Sequence, residues 1–432
     1  MVMRSRLARS VAIAAAAMLG LGACSSSGGA SGGGKSLTVW WYEQAGNAED
    51  LGWKDALTAF EKAHPGVKVH FERKVWQQIQ DAGAMILNSD KAPDVLEYNK
   101  GNATAGAVAS KGLLTDLTTV ASTRGWDKVA GSALTVGTYD SRGIMGPGKV
   151  YGIPSYGEYV SFYYNKDLFA KYGVSVPTTF DQLVGVLGAF KAKGVTPLAM
   201  SAGDYPAVHL LWGIALAKAT HDWLNGYFGL KGKLDSSANS PLTAAAQTIA
   251  DWTAKGYIDN KSSGLKADDA WSLFESGKAP ITFAGTWMVP DFTTKAKTFK
   301  WGSFLMPGSG ISEGSGGNIW VVPSASHNKE LAYDFIGLTM DKTRQNEIAN
   351  AGGVALAADT AAVTDPVGKM VNATFHQLVA SKGLGLYPDW PVPNFYNVIQ
   401  QNLQTLVGGN QKPDQFMGQL KSAYDQYQSS AG

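Results

Sequence analysis

Carboxylic acids and aromatic rings recur side by side in this 432-residue chain, mostly where a strand should hand over to a loop. Trp41, Tyr42 and Glu43 close one apolar run, and Asn99 and Lys100 follow another. Glu158 stands in Ser155-Tyr156-Gly157-Glu158-Tyr159, just before a third run, and Asp204-Tyr205 separates an extended stretch from a helical one. Trp287 closes Gly285-Thr286-Trp287, while Tyr387 and Trp390 share the proline-rich segment Leu386 to Pro391. Gly317 sits in Gly316-Gly317-Asn318, where backbone can approach a ligand or simply turn, and Trp76 opens a helix. Flat rings cover the C–H faces of a cyclic polyol, and carboxylates or amides take its hydroxyl hydrogen bonds. These positions carry aromatics, acids and amides and no excess of Arg or Lys, which suits a neutral polyol better than an anion. Plainer roles compete: core packing for Trp41, Trp76 and Trp287, a turn for Asn99 and Lys100, and a structural place in its helix for His209. An exposed tryptophan between prolines, such as Trp390, is costly without a partner.

Catalytic signatures do worse. Gly143 to Lys149 has the spacing of a phosphate loop, but Val150 stands where Ser or Thr must bind magnesium. Gly310-Ile311-Ser312-Glu313-Gly314 matches a nucleophile-elbow string and is followed by glycines and a strand, not by the required helix. The six histidines include no His-Glu-x-x-His, and a single cysteine cannot build a zinc cluster. No metal or cofactor is expected. A secreted glycoside hydrolase needs two carboxylates about 5–10 Å apart. Glu43, Glu158 and Asp204 supply acids for that, with nothing to rank one pair above another.

The N-terminus reads as an address. Arg4, Arg6 and Arg9 precede the apolar run Val11 to Leu21, which is shorter than the roughly 20 residues of a membrane span. Leu21-Gly22-Ala23-Cys24 is a lipobox pattern, in which the cysteine receives a lipid and becomes the first residue after cleavage. Cys24 is the only cysteine, so it has no disulfide partner within the chain. Ser25 to Gly34 holds only Ser, Gly and Ala, a flexible tether. The reading is a signal peptide over 1–23, then a lipidated cysteine and tether over 24–36. Losing three arginines takes the formal charge from +2 to −1 (2 − 3), with no basic excess for nucleic acid.

About 400 residues remain, too many for one ordinary core. Leu37 to Trp41 predicts a strand, Trp53, Leu57 and Phe60 a helix, and Val67, Val69 and Phe71 a second strand. A helix over Trp76 to Leu87 and a strand over Pro93 to Tyr98 complete a βαβαβ order, which implies a parallel sheet. Ligands bind such sheets at the carboxyl ends of the strands. Strands over 160–164, 279–284 and 318–322 follow, with helices over 180–193, 268–276 and 329–340 and one running to Leu216. Ser240-Pro241 starts a further helix, and the last 65 residues read as helical around an aromatic loop from Tyr387 to Phe395.

Several segments, in order, resemble the maltose-binding-protein-like group of extracellular solute-binding proteins, family 1. They are Phe60 to Val69 (FEKAHPGVKV), Ala92 to Val95, Tyr164 to Phe169 (YNKDLF), Pro177 to Phe180, Phe274 to Lys278 with Gly285 to Trp287, and Ser326 to Glu330. The resemblance runs from about residue 37 to the C-terminus. It implies an α/β, two-lobed periplasmic-binding-protein-like (type II) fold with a ligand cleft at the hinge. Lobe 1 would hold 37–155 plus 320–357, and lobe 2 would hold 158–318 plus 360–432. It further implies that Trp41, Tyr42 and Glu43 face the cleft, that Asn99 and Lys100 lie in a hydroxyl-binding loop, that Glu158 lies at the hinge, and that Trp287 stacks on ligand. The expected partners are a di- or oligosaccharide and the permease subunits of an ABC importer. The expected protein is a monomer held by lipid on the outer face of the cell membrane. Within the group, Gly101 to Gly106 (GNATAG) and Gly112 to Leu117 (GLLTDL) look most like xylobiose- or xylo-oligosaccharide-binding members.

Overall fold

A computed structural model describes residues 35–146 and 148–431. The signal peptide, the Cys24 lipobox and all but the end of the tether lie outside the described residues. No described helix is long and apolar enough to cross a membrane.

Twelve strands form the sheets: β1 (Ser36–Trp41), β2 (Lys68–Arg73), β3 (Val95–Tyr98), β4 (Thr138–Tyr139), β5 (Lys149–Val150), β6 (Ile153–Pro154), β7 (Gly157–Asn165), β8 (Leu198–Ala199), β9 (Ile281–Gly285), β10 (Trp301–Phe304), β11 (Gly314–Gly316) and β12 (Ile319–Val321). The first large sheet runs β2-β1-β3-β12-β6, and the second runs β10-β7-β9-β8 with β11 also on β7. Strands β1, β2 and β3 are parallel, as their order predicts, whereas β12 runs antiparallel to both its neighbours, β3 and β6. The parallel sheet expected from the βαβαβ order holds for these three strands, and β12 adds an antiparallel pairing beyond them. Strands β6 and β12 adjoin the segments that cross to the other sheet, and at two and three residues they are too short to show a period.

Alternation along β1 buries Leu37, Val39 and Trp41 against the helix Ala48–Ala63. That helix starts where the Asn47 side chain accepts a hydrogen bond from the Asp50 amide, and it buries Trp53, Ala56, Leu57 and Phe60. The Trp53 ring lies 4.5 Å from Trp320 and 5.7 Å from Trp41, an indole cluster at the centre of this half. Beside the second sheet, the helix Tyr205–Leu216 is buried from Pro206 onward, with no polar face to period out. The helix Phe395–Val407 packs with it and with the helix Pro241–Ala254, and the C-terminal helix Pro413–Ala431 packs on Phe395–Val407 and Pro241–Ala254.

The chain passes between the sheets with little slack. Only Ser155 and Tyr156 separate β6 from β7, and only Gly317 and Asn318 separate β11 from β12. A third contact joins them where the Gly157 amide donates to the Val354 carbonyl at 2.7 Å. Every strand end named in the sequence reading therefore opens toward these crossings or the aromatic loop beyond them.

Candidate functional site

The loops after β1 and β3 meet the crossing strands in one buried polar network. Lys100 Nζ lies 2.5 Å from Glu158 Oε1 and 3.0 Å from Asn318 Oδ1. Asn318 Nδ2 donates to Glu97 Oε1 at 3.0 Å, and the Tyr42 amide donates to Glu97 Oε2 at 2.8 Å. Ser315 donates from its hydroxyl to Glu158 at 3.2 Å. Glu43 accepts from Asn47 Nδ2 at 2.7 Å and from the Tyr156 hydroxyl at 3.1 Å. The acids outnumber the single ammonium. Burial, followed by the charge of Glu43, holds Glu97 well above the usual carboxylate range. The same two causes push Glu49 up to about 8.

The second-sheet wall is aromatic. Trp287 follows β9 and keeps 37% of its surface exposed, with its ring over Gly285. A Cβ on Gly285 would lie 2.1 Å from that ring, so only glycine leaves it room. His209 is buried beside it, with ring centroids 5.5 Å from Trp287, 5.2 Å from Tyr205 and 6.0 Å from Tyr387. Tyr205 donates from its hydroxyl to Asp389 Oδ2 at 3.3 Å and stacks on Tyr396 at 4.1 Å. Asp204 caps the helix through the Tyr205 amide at 2.8 Å and accepts from the Tyr396 hydroxyl at 3.1 Å.

The two walls touch. Lys100 Nζ lies 5.6 Å from the Tyr387 ring centre and 5.5 Å from that of Trp390, within cation–π reach. A Cβ on Gly101 would fall 2.8 Å from Trp390, and the Ala103 amide donates to the Trp390 carbonyl at 3.3 Å. Trp76 meets Tyr205 edge-on at 6.5 Å.

Of the residues named from sequence, Tyr42, Glu43, Lys100, Glu158, Asp204, Tyr205, Trp287, Tyr387 and Trp390 gather here, with Trp76 at the edge. Asn99 turns its side-chain oxygen to the Lys100 amide at 3.0 Å, a turn-forming role. Trp41 does not join them. The parity of β1 points it into the indole core, fully buried, with Nε1 donating to Asp50 at 3.0 Å. Gly317 is buried against the Tyr156 ring, which a Cβ would meet at 2.4 Å, so its glycine serves close packing of the crossing segment. Sequence reasoning missed Glu97, Tyr156, Glu313 and Asp389. Glu97 carried a usable sign, being a charged residue in a four-residue strand that is otherwise apolar or aromatic.

Four buried polar atoms of this cluster have no hydrogen-bond partner: the hydroxyls of Tyr42 and Tyr387, Glu313 Oε2 and Asp389 Oδ1. Each such atom costs about 1–3 kcal/mol when left unpaired. A cavity of about 320 Å³ lined by Arg142, Met145, Phe228, Lys231 and Leu386 shares none of the cluster's residues. Asn102 ties two of its lining residues together, donating to the Phe228 carbonyl at 3.0 Å and accepting from the Met145 amide at 2.8 Å. Among the described residues, no group of three or more His, Cys, Asp or Glu is placed to hold a metal ion.

Known proteins share this arrangement of chain. The multiple sugar-binding protein of Streptococcus mutans is 24% identical over 309 residues, 68% of this chain and 69% of that protein. The maltooligosaccharide ABC transporter solute-binding lipoprotein of Streptococcus pneumoniae is 25% identical over 312 residues, 68% of each chain. The matching region spans only 43% of a Brucella suis relative named as a probable sugar-binding periplasmic protein. Among solved structures, a chitin oligosaccharide binding protein superposes with a TM-score of 0.76 at 23% identity, covering 92% of this chain and 99% of that one. A structure described with xylan utilization by Caldanaerobius polysaccharolyticus gives 0.74 at 22% identity, covering 90% and 99%. The two-sheet α/β architecture is the two-lobed periplasmic binding protein fold of these structures. The sequence profile of the bacterial extracellular solute-binding proteins matches residues 44–338, well over half the length, and the chain belongs to that family.

Proposed function

We propose that this protein captures a di- or oligosaccharide between its two lobes and delivers it to the permease of an ABC importer. The family binds solutes and does not transform them. The observation that carries the sugar reading is the set of unpartnered buried groups in this acid and ring cluster: the phenol hydroxyls of Tyr42 and Tyr387 and one carboxyl oxygen each of Glu313 and Asp389. Sugar hydroxyls both donate and accept, so they satisfy such a mixed set while the pyranose faces cover the rings. The partner permease follows from the family and from the transporter named for the Streptococcus pneumoniae relative.

Xylobiose or a xylo-oligosaccharide is our first candidate. Gly101 meets Trp390 closely enough to narrow the cleft, which suits a pentose with no exocyclic hydroxymethyl group. The segments Gly101 to Gly106 and Gly112 to Leu117 and the xylan-associated structure support the same choice. The lobes are taken as 37–155 plus 320–357 and 158–318 plus 360–432, with a lipid on Cys24 holding the domain at the outer membrane face. A thermal-shift screen of xylobiose, xylotriose, cellobiose, maltose, lactose and chitobiose tests the substrate class. Ligand bound only by the folded state raises its melting temperature. Xylobiose or xylotriose should give the largest rise, and a larger rise with a hexose disaccharide would replace the pentose assignment.

A further inference from the structure

Glu313 is 1% exposed and lies just before β11, on the crossing strand that pairs with Glu158. One oxygen, Oε1, is 2.7 Å from His209 Nδ1, and the other has no partner. His209 is also buried and touches Tyr205, Trp287 and Tyr387, so the Glu313–His209 pair lies against the ring wall of the cleft. An ion pair there would need flanking charges to support it, and these have the wrong sign for the acid. The charged groups near the pair are Asp389 from the aromatic loop, Glu158 from β7 and Asp204 before the helix. Burial lowers His209 to about 4 despite those acids, and burial together with Asp389 and Glu158 holds Glu313 well above the carboxylate range. Burial thus opposes charge on either partner. One proton lies between Oε1 and Nδ1, and Oε2 is left free to accept.

We propose that Glu313, oriented through His209, is a specificity-determining residue whose free carboxyl oxygen accepts a hydroxyl hydrogen bond from the sugar unit stacked on Trp287. The inference rests on the sugar reading above and adds a residue to it. A simple structural tie between Glu313 and the helix Tyr205–Leu216 would leave Oε2 buried and unpaired, a cost that a ligand hydroxyl removes. The unpartnered oxygen discriminates by direction, since it accepts only from a ligand group that carries hydrogen. The arrangement rejects a sugar methylated or deoxygenated at that position, because the buried acceptor is then left unpaired.

Glu313→Gln keeps a carbonyl acceptor and an amide that can donate to Nδ1. Glu313→Ala removes both. Each full-length variant is titrated calorimetrically with xylobiose, or with whichever disaccharide of the screen binds the unaltered protein. The expected result is affinity within about threefold for Glu313→Gln and a loss of tenfold or more for Glu313→Ala, about 1.4 kcal/mol. If Glu313→Ala melts earlier but binds within threefold, the residue is only a tie and the proposal fails. Equal losses in both variants would mean that an ionised carboxylate is required. A ligand-free measurement judges the protonation alone: the infrared difference between wild type and Glu313→Gln at pH 7 should show a protonated-carboxyl band, and a carboxylate band overturns it. If no disaccharide binds the unaltered protein, the sugar reading falls and takes the acceptor role with it. An unchanged affinity in Glu313→Ala removes the role of Glu313 alone.

Discussion

Trp287 is one of few large apolar side chains left exposed, and Gly285 beneath it holds its ring in place. Truncating it removes little core. Trp287→Ala should weaken sugar binding tenfold or more by calorimetry while shifting the unliganded melting temperature little, and unchanged affinity would remove Trp287 from the contact surface. Trp41→Ala should do the reverse. Its fully buried indole anchors the first lobe, so truncation costs roughly 3–5 kcal/mol in denaturant unfolding, with affinity of the folded fraction kept. Lys100→Met strands Glu158 without its ammonium, leaving only the Ser315 hydroxyl, and breaking a buried pair costs about 3–5 kcal/mol. At this scale, the sequence showed that acids and rings follow strands, but not whether Trp41 faces the ligand or the core. Strand parity decides it, and parity depends on which face the helix Ala48–Ala63 covers. Glu313 and Asp389 carried no sign at all, since each is an ordinary acid in a loop until tertiary contacts bury it.

The first turn of the helix Ala48–Ala63 places Glu49 where a carboxylate would favour the helix dipole, worth under about 1 kcal/mol. Burial and Glu43 outweigh that and raise Glu49 to about 8, against an ordinary carboxylate value in the unfolded chain. Between those two values the native state binds more protons than the unfolded one, so this group's contribution to stability falls as pH rises. Glu49→Gln should therefore match wild type near pH 4 and gain stability over it as pH approaches 8, measured by urea unfolding across that range. A constant difference at all pH values would contradict the raised ionisation. Elsewhere the helices were legible because apolar spacing and caps mark them: Trp76–Leu87 and the start at Pro241 agree with the sequence reading. The strands β6 and β12 were not legible as antiparallel partners, because two or three residues cannot display a period or a direction.

The whole molecule is built on two large sheets joined by crossings of two residues each, with the walls of the cleft in contact through Gly101 and Trp390. Gly101 has φ +105°, and a Cβ there would also press on Trp390. Gly101→Ala should hinder closure of the lobes, seen as a larger radius of gyration with sugar in small-angle scattering than wild type gives. The family order of motifs made the two-lobed plan legible from residue 37 onward, whereas the sugar's identity depends on side-chain positions that no spacing encodes. The central claim is capture of an intact sugar in this cleft. Its most direct test is a calorimetric titration of the full chain with xylobiose and xylotriose, followed by recovery of the sugar. The account predicts saturable one-to-one binding and sugar returned uncut. Absence of binding at millimolar sugar across xylo-oligosaccharides and the hexose disaccharides, or recovery of cleaved product at catalytic rates, would contradict it.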